Sequence, residues 1–382
     1  MKSKQVQFKA SEEISGKLTD LCQIEPQLVT VFGSADEFAH ETRIEEICRS
    51  FPTAAVIGCS TAGEISEVGV FDGSIVVTAI HFDTNVRVVP VTERIKSPED
   101  SLEAGRRVGK KLDLKDLKAF FYMGRGLENN SDQILVGIIE ALGQGVPISG
   151  GMAGDGGKFV NTFTVFNGAI STHAIVGVGI YGDSLDISYG SLSGWEPFGP
   201  VRRVTRSEGK QIFEIDGEPA LTVYKRYLGE SAKGLPGSGQ RYPVALLASH
   251  EDKTGVIRGM IGCDEKFQTL SFGGDIPQNS LIRLMRASTD ALVRGAKGAA
   301  QLTLENSEKR GGLALLVSCV ARKMVLGQDI EDEVDAVKEV LGDVMMTGFY
   351  AYGEIGPAKH DKSCKWHNQT MTITYISEKK GA

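Results

Sequence analysis

No stretch of this chain approaches the roughly twenty consecutive apolar residues that a membrane-spanning helix needs. Its opening residues, MKSKQVQFKASEEISGKL, lack the apolar centre of an export signal. These absences lead us to expect a cytoplasmic protein with no membrane association. Cysteine is sparse, six in 382 residues without paired short spacings, which argues against a disulfide framework and fits a reducing compartment. Cys22, Cys48 and Cys319 then read as small buried hydrophobes. Positive charge is also short: 42 Lys and Arg face 49 Asp and Glu, for a net charge of −7. Phosphate binding needs a concentrated basic surface, so no nucleic-acid partner is expected. What remains, 41% hydrophobic and 24% charged residues, is an ordinary globular composition, long enough for two domains or one large composite fold.

What the chain does have is an internal repeat. The first copy runs QLVTVFGS as a strand, ADEFAHETRIEEICRSF as an amphipathic helix, TAAVIGC as a second strand into GCSTAGEI, and GSIVVTAIHF as a later strand. A second begins LKAFFYMGRG, continues with the helix NNSDQILVGIIEALGQG capped at Ser131, and reaches VPISGGMAGDGG and AIVGVGIYG. In that copy Ser149, Gly154 and Asp155 take the places of Gly58, Gly63 and Glu64. The third has GGLALLVSCVAR, DIEDEVDAVKEVLG, VMMTGFYAYGEIGP and QTMTITYI. Between the second and third lies a hairpin-rich stretch, with its most linker-like segment at ESAKGLPGSGQRYP. The expected fold class is α/β and two-lobed: mixed β-sheets flanked by helices, built from repeated strand-helix-strand-glycine-turn units.

A turn of the form Gly-x4-Gly-Glu lets backbone N–H groups converge on one point and sets an acid beside them, a suitable cradle for a polar or zwitterionic small molecule. The plainer reading is a structural turn whose acid caps a helix or a neighbouring strand. No P-loop follows, since Gly-Lys-Ser/Thr is missing, and the glycine spacing is not that of a dinucleotide fingerprint. Small-ligand candidates are Cys59, Ser60, Thr61, Gly63 and Glu64 in the first turn, with Tyr352, Gly353, Glu354 and Asn368 in the last. Cys59 or Ser60 as a nucleophile would need a base and an orienting group that local sequence does not supply, so no enzyme is expected. KHDKSCKWHNQT concentrates His360, Asp361, Cys364 and His367, but its spacing is weak for zinc.

Taken together and in order, GCSTAGEI, GGMAGD, GWEPFGPVRRVTRSEGKQIFEIDGEPALTVYKRYLG, GFYAYGEIGP and HNQT resemble the FIST family of signalling proteins over residues 29 to 375. The resemblance implies a FIST N-terminal domain over 29–225 and a C-terminal domain over 226–375, flanked by an extension, 1–28, and a tail, 376–382. It implies sensing rather than metabolism, with amino acids or similar metabolites as ligands. A chain of this kind also resembles the nitric-oxide-sensing haem proteins called NosP. That likeness implies haem b, nitric oxide as the signal, and a partner histidine kinase or cyclic-di-GMP enzyme (a diguanylate cyclase or phosphodiesterase) acting in biofilm control, with a homodimer allowed. One histidine suffices as a haem axial ligand. His250, outside the shared repeat, is the first choice and His367 the second, with no separate metal site. Asn368 and the glycine turns carry over as family hallmarks.

Overall fold

A computed structural model describes residues 1–9, 12–305, 307, 311–357 and 364–379; His360 and Asp361 lie outside them. The first unit comprises β1 (Lys2–Phe8), α1 (Ser15–Cys22), β2 (Leu28–Ser34), α2 (Ala35–Phe38), α3 (Glu41–Ser50), β3 (Ala55–Thr61), the hairpin β4 (Glu64–Ser66) and β5 (Gly69–Phe71), and β6 (Ile75–His81). The single helix expected after β2 is broken between α2 and α3, where His40 leaves helical geometry. Phe38, Ile44, Ile47 and Phe51 are nonetheless all buried, as the periodicity required. The second unit repeats the plan: β7 (Arg87–Arg94), α4 (Ser101–Gly109), β8 (Leu117–Gly124), α5 (Ser131–Leu142), β9 (Ile148–Met152), the hairpin β10 (Thr164–Phe166) and β11 (Ala169–Ser171), and β12 (Ala174–Tyr181). The cap of α5 is Asn130, whose side chain accepts from the Gln133 amide at 3.2 Å, rather than Ser131; Gly143 ends the helix at φ 81°.

The third unit opens with β13 (Leu185–Leu192) and is then interrupted by an insertion: β14 (Glu196–Glu208), β15 (Gln211–Ile215), β16 (Glu218–Pro219), α6 (Ala220–Leu228), β17 (Val244–Leu247), β18 (Val256–Arg258), β19 (Met260–Asp264), β20 (Thr269–Phe272) and β21 (Leu281–Arg286). The unit resumes with α7 (Thr289–Glu305), β22 (Leu313–Cys319), α8 (Val320–Leu326), α9 (Ile330–Leu341), β23 (Met345–Ala351), β24 (Glu354–Pro357), β25 (Cys364–His367) and β26 (Met371–Glu378). Residues 225 and 226 both fall within α6, and residues 2–8 form an edge strand of the first unit.

Each unit forms a mixed sheet around one parallel pair, β2–β3, β8–β9 or β22–β23, and its hairpin pairs with another unit. The orders are β1-β6-β2-β3-β10-β11, β25-β24-β9-β8-β12-β7 and β13-β26-β22-β23-β4-β5. The first unit thus lends its hairpin to the third sheet, the second to the first, and the third to the second. Inner faces of all three sheets meet in one core through residues such as Phe32, Met123 and Phe349. The outer faces pack against their own helices in three further clusters. Each large aliphatic side chain so buried contributes about 1.5–3 kcal/mol. The fold class is as expected: mixed sheets flanked by helices.

The exchange fixes the true register of the repeat. In each parallel pair one glycine lies so close to the facing carbonyl that a Cβ could not fit: an added Cβ would come within 2.0 Å of Val31 O at Gly58, 1.8 Å of Tyr122 O at Gly150 and 1.8 Å of Leu316 O at Gly348. Gly150, not Ser149, is therefore the counterpart of Gly58. The pairings Glu64↔Phe349, Glu354↔Gly151 and Thr164↔Cys59 then make Thr164 the counterpart of Glu64 and Glu354. Asp155 does not occupy that position, contrary to the sequence reading. It begins an excursion, residues 155–162, inserted into the second turn alone.

Candidate functional site

The three turns hydrogen-bond in a ring. Ala62 N donates to Tyr350 O (2.8 Å), Gly154 N to Ser60 O (2.9 Å) and Tyr352 N to Met152 O (3.0 Å). The ring joins the three units, and the carboxyl ends of the parallel strands open beside it, a common place for ligands in α/β sheets. At the end of β2 and β3 there is a cleft of about 440 Å³. Its floor is Thr61 to Glu64, and one wall carries Asp36 of α2 and Asp72 of the β5–β6 connection. The second unit contributes Asp155, Gly156 and Lys158 of the excursion, and the third contributes Lys323 and Met324 of α8. All three units therefore build this one site.

Two cations face it, each held by a carboxylate. Lys323 Nζ donates to Ala62 O at 2.9 Å and pairs with Asp72, 5.6 Å above the Tyr350 ring. Lys158 reaches across to Asp36 at 2.9 Å; both ends are exposed, so this pair closes the mouth only loosely. Glu64 is 1% exposed. Its Oε1 accepts from the Thr61 hydroxyl (2.5 Å), and its Oε2 from the amide (3.1 Å) and hydroxyl (2.8 Å) of Ser74. Burial pushes Glu64 up to about 7 against these hydrogen bonds, so near neutral pH it carries a proton much of the time. Asp155 is different. Burial acts to raise its pKa, but the Tyr352 hydroxyl and the amides of Val160, Asn161 and Phe159 hold it below the usual carboxylate value.

Of the first turn's small-ligand candidates, Thr61, Gly63 and Glu64 line the cleft, and Cys59 and Ser60 do not. Cys59 is buried in β3, and desolvation drives its thiol far above the ordinary value, the opposite of what a nucleophile needs. Ser60 staples two units, donating to Gly154 O (2.7 Å) and accepting from Phe163 N (2.8 Å). Tyr352 acts at one remove: its hydroxyl holds Asp155, and its ring stacks on Phe159 at 4.4 Å. Gly353 lies under the Trp366 indole, where a Cβ would come within 1.9 Å. Glu354 repeats Glu64, with Oε2 accepting from Thr370 N (3.0 Å) and hydroxyl (2.9 Å) and burial raising it to about 8. Both acids thus cap the chain as it enters the closing strand, the plainer role foreseen for them. Asn368 donates to His367 O (3.1 Å) and sits against Gly273 of the insertion.

His250 is exposed in the connection between β17 and β18, and His367 is buried on β25. The His367 Nε2 lies 3.2 Å from Gly356 O, an acceptor, so that nitrogen carries the proton. Burial lowers its pKa to about 4. Neither histidine lines any of the four cavities described. Among the described residues no cluster of three or more His, Cys, Asp or Glu could hold a metal ion, and no helix is long and apolar enough to cross a membrane.

The threefold α/β scaffold carries a charged cleft at its ring of turns. The FIST N domain matches residues 27–218 and the FIST C domain residues 220–357, and the chain belongs to the FIST family, a sensor-type domain. Curated relatives include the uncharacterized protein MJ1623 of Methanocaldococcus jannaschii, 28% identical over 200 residues, which are 48% of this chain and 36% of the relative. Another is the uncharacterized protein Mb0898c of Mycobacterium bovis, 27% identical over 226 residues, 56% of each chain. The match spans only about a third to just over half of these relatives. Among solved structures, the cyanuric acid hydrolase of A. caulinodans aligns over 99% of both chains with a TM-score of 0.37 and 8% identity. A second cyanuric acid hydrolase gives 0.37 and 12% over 98% of this chain and 99% of its own.

Proposed function

We propose that this chain is a sensor that takes a small zwitterionic metabolite, of the amino-acid kind, in the cleft at the first turn, and binds it without haem. The observation that carries this reading is the pairing of Lys323 and Lys158 with Asp72 and Asp36 around one cleft of about 440 Å³. An ammonium and a carboxylate on one ligand can meet an Asp and a Lys of these pairs charge for charge, with Lys323 the least exposed of the four. Signal output passes to a separate partner, for which the family resemblance suggests a histidine kinase or cyclic-di-GMP enzyme.

The haem reading meets an obstacle in the residues. An axial imidazole must offer a lone pair to a space that accepts a porphyrin. His250 is exposed on a hairpin connection, and His367 has Nε2 committed to Gly356 O inside the packed core. Neither of the two candidate histidines offers a free lone pair to such a space in this conformation.

Titration calorimetry of the purified chain against the common amino acids and their betaine and amide analogues is the test. Saturable binding that falls at least tenfold in Lys323→Met is expected. No saturable ligand, or one indifferent to that change, would refute the cleft. Stoichiometric haem uptake, with a Soret band that shifts on adding nitric oxide, would reinstate the haem reading instead.

A further inference from the structure

The insertion meets the cleft across one short helix, and from this we propose that α8 couples the two, so that the insertion reports whether the cleft is occupied. This regulation rests on the cleft being the ligand site, but the coupling itself can be tested with no ligand present.

α8, Val320–Leu326, has two working faces. Val320, Lys323, Met324 and Gly327 fall at i, i+3, i+4 and i+7, one face of a helix, and all four line the cleft. Arg322, Val325 and Leu326 fall on the opposite face. Leu326 is buried with Trp195, at the entry to the insertion, and with Ala245, Ile257 and Met285 of β17, β18 and β21; Val325 packs against the same cluster. α8 also runs beside the helical turn Gly237–Arg241 of the insertion. Arg322, 0% exposed, donates to Ser193 O and, at 2.9 Å, to Leu292 O. Ser193 lies where the chain leaves β13 for the insertion, and Leu292 lies in α7, to which it returns. One guanidinium therefore clasps both ends of the insertion, and its neighbour in the chain is the lysine that faces the cleft.

Lys323 ties α8 to the first unit through Ala62 O and Asp72. Asp72 is 70% exposed, so solvent screens its share of that tie. A ligand carboxylate enclosed in the cleft holds Lys323 more firmly than Asp72 does, and with it α8. Coupling of this kind needs no large movement. Local opening of the insertion is easier when the helix under its junction is loosely held, and harder when that helix is fixed. An occupied cleft thus quiets the insertion, and an empty one leaves it freer to open.

Hydrogen exchange of the full chain, read by mass spectrometry, tests the coupling. Lys323→Met keeps the apolar stem and removes the tie. Exchange over residues 237–247 and 256–258 should accelerate roughly three- to tenfold, with β8 and β9 of the second unit unchanged. Lys158→Met removes the cleft's other cation, on the excursion rather than on α8, and should leave the insertion at the wild-type rate. Leu326→Ala should accelerate the same segments, and adding Lys323→Met to it should have little further effect, because the helix no longer transmits. If Leu326→Ala does not fold, Leu326→Val serves in its place with a smaller acceleration. Unchanged exchange in Lys323→Met, acceleration that extends to β8 and β9, an equal effect of Lys158→Met, or independent effects in the double variant would each overturn the proposal. No ligand enters this experiment, so its failure is distinct from a failure of the cleft to bind one.

Discussion

Glu64 is the group whose titration the structure constrains most closely. It is 1% exposed, and burial raises it from an ordinary 4.5 to about 7. A carboxyl whose folded pKa lies above its unfolded one binds more protons in the native state at intermediate pH. Its contribution to stability is therefore complete below about 4.5 and is lost as pH rises through about 7. At ~1.4 kcal/mol per pH unit, that interval amounts to about 3 kcal/mol. Glu64→Gln removes the titration while keeping an oxygen for Ser74. The variant should be somewhat less stable than wild type at pH 5, by about 1 kcal/mol, for its altered contact with Thr61. At pH 8 it should be more stable by about 2 kcal/mol, because the wild type must then hold a buried carboxylate. Urea unfolding of both proteins at a series of pH values between 5 and 8.5 measures the difference. Glu354, also raised by burial, is common to both and cancels. Parallel pH dependences for variant and wild type, agreeing within about 1 kcal/mol, would show that Glu64 is ionised throughout, and the reasoning fails.

The close approach of Gly348 to Leu316 O, 1.8 Å from an added Cβ, predicts that Gly348→Ala forces β22 and β23 apart. It should cost about 3 kcal/mol, read as a lowered unfolding midpoint; an unchanged midpoint would contradict the register. Arg322 and Glu333 form an ion pair with both side chains 0% exposed, and Glu333 also accepts from Ser318 and Tyr350. Arg322→Met strands that carboxylate and should cost about 3–5 kcal/mol, with part recovered in the Arg322→Met/Glu333→Gln double variant. Tyr352→Phe removes the hydroxyl that holds Asp155, and should cost about 1–2 kcal/mol while hydrogen exchange accelerates at Gly157 and Phe159. Unaltered exchange there would separate Tyr352 from the excursion.

Much of the scaffold was legible because apolar period and turn spacing are local properties. Phe38, Ile44, Ile47 and Phe51 predicted a buried helical face, and all four are buried, although the helix itself breaks at His40. Strand exchange was not legible. β4 is three residues long and finds its partner at Gly348 and Phe349, and no periodicity encodes a pairing over that separation. The same blindness affected the site. Thr61, Gly63 and Glu64, which line the cleft, belong to the turn that recurs at Gly353 and Glu354, but Lys323 reaches Ala62 and Asp72 only because the hairpin of the first unit pairs with the third sheet. In ARKMVLG nothing marks that lysine.

The register error in the second copy carries the more general lesson. A glycine and an acid at nearly the right spacing suggested that Asp155 repeats Glu64, whereas the pairing of Thr164 with Cys59 shows that residues 155–162 were added to a turn otherwise like the others. Glu64 and Glu354, which the repeat does preserve, are occupied in capping the strands after them, through Ser74 and Thr370. The cations that face the cleft come from the other two units: Lys158, on the excursion that the second turn alone carries, and Lys323 on α8, each paired with a carboxylate of the first unit. In the third unit the loop at Asn368 and Gln369 corresponds to Asp72 and Gly73 of the cleft, but the insertion covers it, with Gln369 donating to Gln240 O (3.1 Å) and Trp366 to Gly273 O (3.1 Å). One scaffold thus presents an open cleft in one unit and a covered counterpart in another. Recurrence along the chain marks what the threefold frame needs to close, and departures from it, such as residues 155–162, mark where one turn differs from the other two.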